Sequence, residues 1–187
     1  MRYAYYPGCS QESTGRQYGE SIRAVAQATG MELIEIEDWN CCGATTYYSI
    51  DQVQAMALAA RSLSLAEKEK VGDLVAPCSA CYFVLRRVDD FRARYPELMG
   101  RVLGVLRDMG LDYGGNVRVR HPLDVLHDDI GVEEIKKHVK RELNGVRIGC
   151  YYGCLYSRPY GTPEEWRFPT KMDDLFSGLG VDVVDFS

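Results

Sequence analysis

The spacing of apolar and polar residues in the first part of the chain predicts strands that alternate with helices. Residues 2–6 form a short aromatic run that ends at a proline and a glycine, which is typical of a strand closed by a turn. A helix capped by Ser10 or Ser13 is expected to follow and to run to about Thr29. Residues 31–36 then alternate apolar and acidic side chains, as a strand with one solvent-exposed face does.

The middle of the chain continues this alternation. Ser49 is a good candidate cap for a long amphipathic helix that runs to about Lys70. Residues 74–76 predict a short buried strand, and the segment after it favours two helices, at about 82–88 and 96–109.

The last third of the chain adds further strands and helices. Strands are predicted at 117–120, 146–149 and 180–185, and helices at 132–143 and 170–179. Strands that alternate with helices favour an α/β fold, in which a mainly parallel sheet is layered with flanking helices.

A similarity between two segments indicates an internal repeat. Residues 5–9 (YYPGC) and 151–154 (YYGC) both place an aromatic pair, a glycine and a cysteine after a predicted strand. We therefore expect a first domain at residues 1–145 and the incomplete beginning of a second, similar α/β unit at residues 146–187. The sequence stops at Ser187, where a second Cys-Cys-Gly motif would be due.

Composition and charge narrow the possible functions. The 187 residues carry a net charge of −5 and no dense lysine or arginine stripe, which argues against nucleic-acid binding. The N-terminus lacks the apolar run of a signal peptide, and no stretch has the length of a transmembrane helix. A cytoplasmic location is therefore expected, where thiols stay reduced. Seven cysteines in that compartment favour metal or redox chemistry over structural disulfides.

Five of the cysteines come directly after predicted strands. Cys9 follows the first strand, the adjacent Cys41 and Cys42 follow the second, and Cys78 and Cys81 follow the third. Because ligands gather at the carboxyl ends of parallel strands, we expect these thiols to meet at one edge of the sheet. The side chains of two adjacent cysteines point in different directions, so they cannot both fill one apolar cavity in the core. They can, however, present two thiolates to one multi-iron cluster.

The Cys78-x-x-Cys81 pair is ambiguous when it is taken alone. Such a pair occurs in thioredoxin-type redox sites, in zinc sites and in iron–sulfur sites. Zinc takes four ligands and a cubane cluster takes four thiolates, so five cysteines leave one over or indicate bridging thiolates. The adjacent Cys41 and Cys42 favour the bridged cluster.

With these residues, the chain resembles the cysteine-rich CCG domain family and, along its full length, the N-terminal part of the heterodisulfide reductase B subunit. The resemblance rests on residues 6–9 (YPGC), 41–43 (CCG), 77–81 (PCSAC) and 150–154 (CYYGC). It implies a noncubane [4Fe-4S] cluster for each complete motif. The ligands implied for the first cluster, which are catalytic through it, are Cys9, Cys41, Cys42, Cys78 and Cys81, with Cys154 as the first ligand of a second motif.

The same resemblance implies a reaction and partners. Pairs of such clusters in this family cleave the disulfide between coenzyme M and coenzyme B. The implied partners are a ferredoxin-like iron–sulfur subunit, which delivers electrons, and a flavin-containing redox subunit. A chain with one complete motif suits electron relay better than two-cluster cleavage. Two alternatives stay open, namely a structural zinc module of a multi-subunit redox complex and a cluster-free thiol/disulfide switch at Cys78 and Cys81.

Other polar residues give weaker signals. His121 is expected to have a structural rather than a catalytic role. Arg86, Arg87, Arg92 and Arg94 form a modest basic cluster that would suit an anionic substrate or an acidic partner. A solvated helix face is the simpler expectation for these arginines.

Overall fold

A four-stranded parallel sheet forms the centre of the protein. The computed structural model describes residues 1–143, 145–158 and 168–185. The strands of the sheet are β1 Arg2–Tyr5, β2 Glu32–Glu35, β3 Asp73–Val75 and β4 Arg118–Arg120. Their order is β2-β1-β3-β4, and each neighbouring pair is parallel. The predicted α/β fold with a mainly parallel sheet is confirmed.

Helices connect and cover these strands. The α-helices are α1 Arg16–Ala28, α2 Gln52–Lys68, α3 Ser79–Arg94, α4 Pro96–Asp108, α5 Pro122–Asp124, α6 Val132–Lys137, α7 Cys154–Ser157 and α8 Lys171–Gly178. A 3₁₀ turn at Thr46–Ser49 precedes α2, and a π-helical turn at Val125–Ile130 continues α5. Within the described ranges, no helix is both long and apolar enough to cross a bilayer.

A second, smaller sheet lies near the C-terminal end of the sequence. It pairs β5 Arg147–Ile148 in parallel with β6 Asp182–Val183. Helices α7 and α8 lie between these strands in the sequence, so a further strand–helix–strand unit begins near residue 146, as expected. The division of the chain into domains at residues 145 and 146 stays a prediction.

The main core lies between the central sheet and helices α2, α3 and α4. Ala59, Ala60 and Leu63 on α2 are fully buried, and the small alanine side chains let α2 pack closely against α4. Leu74 of β3 and Leu85 of α3 belong to the same cluster. Burying one such leucine side chain contributes about 1.5–3 kcal/mol to the free energy of unfolding. This core supports the loops that leave β1, β2 and β3.

The start of α1 differs from the prediction. Ser10 and Ser13 do not cap this helix, because the residues after Cys9 fold as turns. Gly15 donates its N–H to the Ser10 carbonyl at 2.7 Å, and the Ser13 hydroxyl donates to the Cys9 carbonyl at 3.2 Å. The helix begins only at Arg16. The serines therefore shape the loop that carries Cys9.

The start of α2 also differs, since Ser49 is not its cap. Ser49 ends the 3₁₀ turn, which Thr45 caps by accepting the N–H of Tyr47 at 3.2 Å. The cap of α2 is Asp51, whose carboxylate accepts the N–H of Gln54 at 3.0 Å. A carboxylate at this position stabilises the free N–H groups of the first turn.

The helix predicted at residues 132–143 ends early, at Lys137. Val139 and Leu143 have the apolar spacing of a helix but are 42% and 39% exposed. Short helices depend on burial of an apolar face for most of their stability. Without that burial, the pattern of residues 138–143 does not produce a helix.

Candidate functional site

The five predicted cysteine ligands lie on loops at one edge of the central sheet. Cys9 follows β1, Cys41 and Cys42 follow β2, and Cys78 and Cys81 follow β3. These three strands are neighbours in the sheet and run in the same direction, so their carboxyl ends share one edge. The loops are therefore adjacent in space although they are separate in the sequence.

Two pairs of sulfur atoms join different loops. The Sγ atoms of Cys9 and Cys41 are 3.9 Å apart, and those of Cys42 and Cys81 are 3.3 Å apart. The first pair links the β1 loop to the β2 loop, and the second links the β2 loop to the β3 loop. The adjacent cysteines at 41 and 42 thus each face a different loop. Ligation by these five residues stays a prediction, but the convergence on which it depends is present.

The five thiols differ in their exposure to solvent. Cys42 and Cys81 are only 2% and 3% exposed, whereas Cys9 and Cys41 are exposed and Cys78 is intermediate. The site therefore has a dry inner side against the core and an open outer side. A ligand held between the two sulfur pairs would remain accessible from outside the protein.

Hydrogen bonds within the site make two thiols more acidic than usual. The pKa of Cys78 is lowered to about 5, mainly by a hydrogen bond from the Cys81 thiol and also by bonds from the backbone N–H groups of Cys81 and Ala80. Desolvation acts in the opposite direction but is outweighed. A bond from Cys81 likewise lowers the pKa of Cys42, while the pKa of Cys81 itself is raised by these two partners. Cys78 stands at the N-cap of α3, where N–H groups stabilise negative charge. Thiolates are the form in which cysteine binds metals.

Glycines allow the loops to approach the sulfur atoms closely. Gly8 has φ +76°, and a Cβ atom placed on it would lie 3.0 Å from Sγ of Cys81. Gly43 has φ +77°, and its Cβ would lie 3.2 Å from the Ala55 carbonyl oxygen. Both positions need a residue without a side chain. The glycine that follows the adjacent cysteines therefore seats their loop on α2.

Asn40 and Arg61 brace the loop that carries Cys41 and Cys42. The Asn40 amide donates to the carbonyl oxygens of Cys41 at 2.8 Å and Leu58 at 2.9 Å. Arg61 on α2 donates to the Asn40 side-chain oxygen at 3.0 Å, and the buried Tyr6 hydroxyl donates to the Asn40 carbonyl at 2.6 Å. No pattern in the sequence had indicated these supporting residues.

His121 holds the third loop. Its Nδ1 accepts the N–H of Leu123 at 3.3 Å, which leaves Nε2 to donate to the Pro77 carbonyl at 3.0 Å. Burial lowers the pKa of His121 to about 4, so the imidazole is neutral near pH 7. These contacts agree with the structural role expected for His121. The residue that His121 supports, Pro77, directly precedes Cys78.

The two remaining cysteines lie in the C-terminal part of the chain. Cys154 begins α7, a helix that packs against α3, and its thiol is exposed. Burial and the carboxylate of Asp173 raise the pKa of Cys150. A ligand role for Cys154 stays a prediction.

The donor set fits an iron–sulfur centre in its chemistry. Five thiols from three loops supply the soft sulfur ligands that such clusters take. Over the ranges that the structure describes, no group of three or more His, Cys, Asp or Glu side chains has the arrangement of a single metal-ion site. The zinc alternative stays a prediction.

Comparisons with known proteins point to one family. Residues 3–86 match the CCG family, described as "Cysteine-rich domain". The chain is 31% identical over 186 residues to the 8-methylmenaquinol:fumarate reductase membrane anchor subunit of Wolinella succinogenes, across 98% of this chain and 64% of that protein. It is 30% identical over 187 residues to a protein of Archaeoglobus profundus that is named as similar to the heterodisulfide reductase B subunit, across 97% of this chain and 62% of that protein.

Further similarities extend to a third curated protein and to a solved structure. The chain is 24% identical to the B subunit of the ferredoxin/F(420)H(2)-dependent CoB-CoM heterodisulfide reductase of Methanosarcina acetivorans, across 100% of this chain and 62% of that protein. A crystal structure of a hypothetical protein from Helicobacter pylori is similar with a TM-score of 0.73 at 14% identity, across 100% of this chain and 33% of that one. This last similarity supports the fold alone.

The chain thus spans 62–64% of the length of these curated relatives. The family match covers β1 to the first half of α3 and includes all five cysteines of the candidate site. Residues 3–86 match the cysteine-rich CCG domain family, and the chain as a whole is similar to proteins named as heterodisulfide reductase B subunits or as like them.

Proposed function

We propose that the chain is an iron–sulfur redox subunit of a heterodisulfide reductase-like complex. In this proposal a noncubane [4Fe-4S] cluster serves the reduction of a CoM-S-S-CoB type disulfide or relays electrons toward it. The observation that carries the proposal is the meeting of thiols from three loops, with sulfur pairs at 3.9 and 3.3 Å. The names of the relatives support the coarser statement that the chain is related to subunits of multi-subunit reductases.

When bound, an iron–sulfur cluster supplies single electrons at a fixed position, because its iron ions change oxidation state. The protein residues determine where this happens. Cys42 and Cys81 exclude water on the inner side, and the exposed Cys9 and Cys41 mark the side that a substrate or a partner would approach. The braces at Asn40 and His121 keep the loops in place.

The proposed reaction needs an external source of electrons. Reduction of one disulfide consumes two electrons and two protons and yields two thiols. We assign the electrons to a ferredoxin-like iron–sulfur subunit, with a flavin-containing subunit as a further redox partner. The cytoplasmic location expected from the sequence also stays a prediction.

A spectroscopic experiment tests this proposal. The chain would be reconstituted anaerobically with iron and sulfide, reduced with dithionite, and mixed with the homodisulfide of 2-mercaptoethanesulfonate. We expect the electron paramagnetic resonance and visible spectra to change on reduction and to revert on reoxidation by the disulfide, with release of thiols. A reconstituted chain that shows no such change, or iron-free chain that releases thiols equally fast, would contradict the proposal.

A thiol/disulfide switch at Cys78 and Cys81 is a second candidate, and two observations favour it. The Sγ atoms of Cys42 and Cys81 lie at 3.3 Å, and Cys78 has a pKa lowered to about 5 by its bond from Cys81. Thiols that are close together and partly ionised exchange readily with disulfides. This candidate would be favoured if the iron-free chain cycled between a dithiol and a disulfide, and if this iron-free form were active in disulfide reduction.

A further inference from the structure

We infer that Cys9 and Cys41 form a reversible disulfide in the iron-free chain, and that this bond and an iron–sulfur cluster exclude each other. Their Sγ atoms are 3.9 Å apart and both side chains are exposed. We call these two cysteines the outer pair, and Cys42 and Cys81 the inner pair. The disulfide is independent of the proposed function, whereas its competition with a cluster rests on that function.

The position of the outer pair allows a disulfide to form. A disulfide bond is about 2 Å long, so the two sulfur atoms must approach each other by roughly 2 Å. Cys9 lies in a run of turns after β1, and Cys41 lies after β2 in a loop segment without regular secondary structure. Because neither residue belongs to a helix or a strand, side-chain rotation and a small loop shift can close this distance.

Exposure distinguishes the outer pair from the inner pair. The inner sulfur atoms are closer, at 3.3 Å, but Cys42 and Cys81 are only 2% and 3% exposed. A small disulfide such as oxidised glutathione must bring its own S–S bond into contact with the attacking thiolate. It can therefore reach the outer pair but not the inner pair.

Cys78 is the partly exposed thiol that competes with the outer pair. Its sulfur accepts hydrogen bonds from the Cys81 thiol and from the backbone N–H groups of Cys81 and Ala80. These bonds stabilise the reduced form, so a disulfide at Cys78 is easily reduced again. Cys78 also stands at the N-cap of α3, whereas Cys9 and Cys41 lie several residues before α1 and α2. We therefore expect the disulfide of the outer pair to resist reduction better.

The oxidation balances with oxidised glutathione as the oxidant. The thiolate of one outer cysteine attacks the glutathione disulfide, whose S–S bond breaks, and one glutathione thiolate leaves. The second outer thiolate then attacks the mixed disulfide and displaces the other glutathione. The outer pair loses two electrons and two protons, and two molecules of reduced glutathione form. The reverse exchange restores both thiols.

The disulfide would remove two of the five sulfur ligands that the resemblance implies. Cysteine binds metals as the thiolate, and a sulfur atom in a disulfide is no longer a thiolate. The bond would also join the β1 loop to the β2 loop on the open outer side of the site. Iron uptake would then require a thiol that first reduces the outer pair.

Peptide mapping identifies the bond directly. The reduced, iron-free chain would be equilibrated anaerobically in glutathione buffers of increasing oxidised fraction, alkylated and digested with trypsin. A disulfide of the outer pair joins peptide 3–16 to peptide 24–61, whereas a Cys78–Cys81 disulfide lies within peptide 71–86. We expect the first product at a lower oxidised fraction than the second. Absence of the first product, or the reverse order, would overturn the inference.

Two variants test which cysteines react. In Cys41→Ser the link between peptides 3–16 and 24–61 should be lost. A link that persists would show that Cys42 reacts instead, and it would overturn the inference. Cys150→Ser is the matched control, because its thiol lies beside Asp173 and outside the candidate site. This variant should form the link to the same extent as the wild type.

The competition with a cluster is tested by the same mapping on iron-loaded chain. After anaerobic reconstitution and removal of free iron and sulfide, the linked fraction should fall to less than half of that in iron-free chain. Equal linking in both forms would overturn the claim that the bond and the cluster exclude each other. A reduced chain that takes up no iron would contradict the proposed function, whereas the mapping of iron-free chain tests the disulfide separately.

Discussion

Among single residues, Gly8 imposes a tight steric constraint on the candidate site. In Gly8→Ala, the new methyl group would meet Sγ of Cys81 at 3.0 Å in a backbone with φ +76°. Gly30→Ala is the matched control, because Gly30 has φ +70° but nothing within 4 Å of the Cβ position. Both variants should lose about 1–2 kcal/mol in the free energy of unfolding.

Only Gly8→Ala should also take up less iron on reconstitution, since only its methyl group displaces a cysteine sulfur. Urea unfolding of iron-free chain and an iron assay measure the two effects. Equal iron uptake by both alanine variants would show that the close approach to Cys81 does not matter for the centre.

His121 gives a prediction about pH. Its pKa is lowered from 6.5 to about 4 by burial, so the unfolded chain binds a proton before the folded chain does. The stability that depends on neutral His121 is complete above about pH 6.5 and is lost as the pH falls toward 4. The loss amounts to at most roughly 3 kcal/mol.

Urea unfolding of the iron-free wild type and of His121→Gln between pH 7.5 and 4.5 measures this loss. The variant should show a shallower decline, because it lacks the titrating group. His138→Gln changes a histidine at an exposed position and serves as the control. The free energy of unfolding of His138→Gln should decline as steeply as that of the wild type. If that of His121→Gln declined equally steeply, the role of the buried imidazole would be refuted.

At the scale of elements, the N-terminus of α2 gives a test of which residue caps it. Asp51→Ala removes the carboxylate that accepts the Gln54 N–H and should destabilise the protein by about 1 kcal/mol. Ser49→Ala should change the free energy of unfolding much less, because Ser49 does not cap α2. Chemical unfolding of both variants measures the two changes in the free energy of unfolding. A larger effect at Ser49 would contradict the observed cap.

Local pattern was sufficient to predict where strands end and which loops carry cysteines. The signal was strong because Cys9, the Cys41–Cys42 pair and the Cys78–Cys81 pair each come within a few residues of a short apolar run. Helix ends were less predictable, since Ser49 and Asp51 are both good caps and only the fold selects one. Val139 and Leu143 show the same limit, because their spacing is helical but nothing buries them.

The supporting contacts of the site could not be predicted, because they join residues that are distant in the sequence. Arg61 and Asn40 are 21 residues apart, and His121 and Pro77 are 44 apart. No spacing rule connects such positions. Arg87 was expected on a solvated helix face, and only the structure shows that its guanidinium lies over the rings of Tyr48 and Phe83.

At the scale of the whole molecule, the order of the strands produces the candidate site. Because β2, β1 and β3 are adjacent and parallel, three loops that are separate in the sequence meet at one edge. Helix α7, which carries Cys154 at its start, packs against α3 and contributes Leu155 to a pocket of about 300 Å³. The strand order and the loops that leave the strands together bring the sulfur atoms to one edge of the sheet.

The iron and acid-labile sulfide content of the chain after anaerobic reconstitution tests the central claim most directly. About four of each per chain are expected for the wild type. The same content is expected for Cys150→Ser, whose thiol lies beside Asp173 rather than in the candidate site. Cys42→Ser should lose more than half of both, with circular dichroism showing that it is folded. A wild type that takes up neither iron nor sulfide, or full loading of Cys42→Ser, would contradict the account.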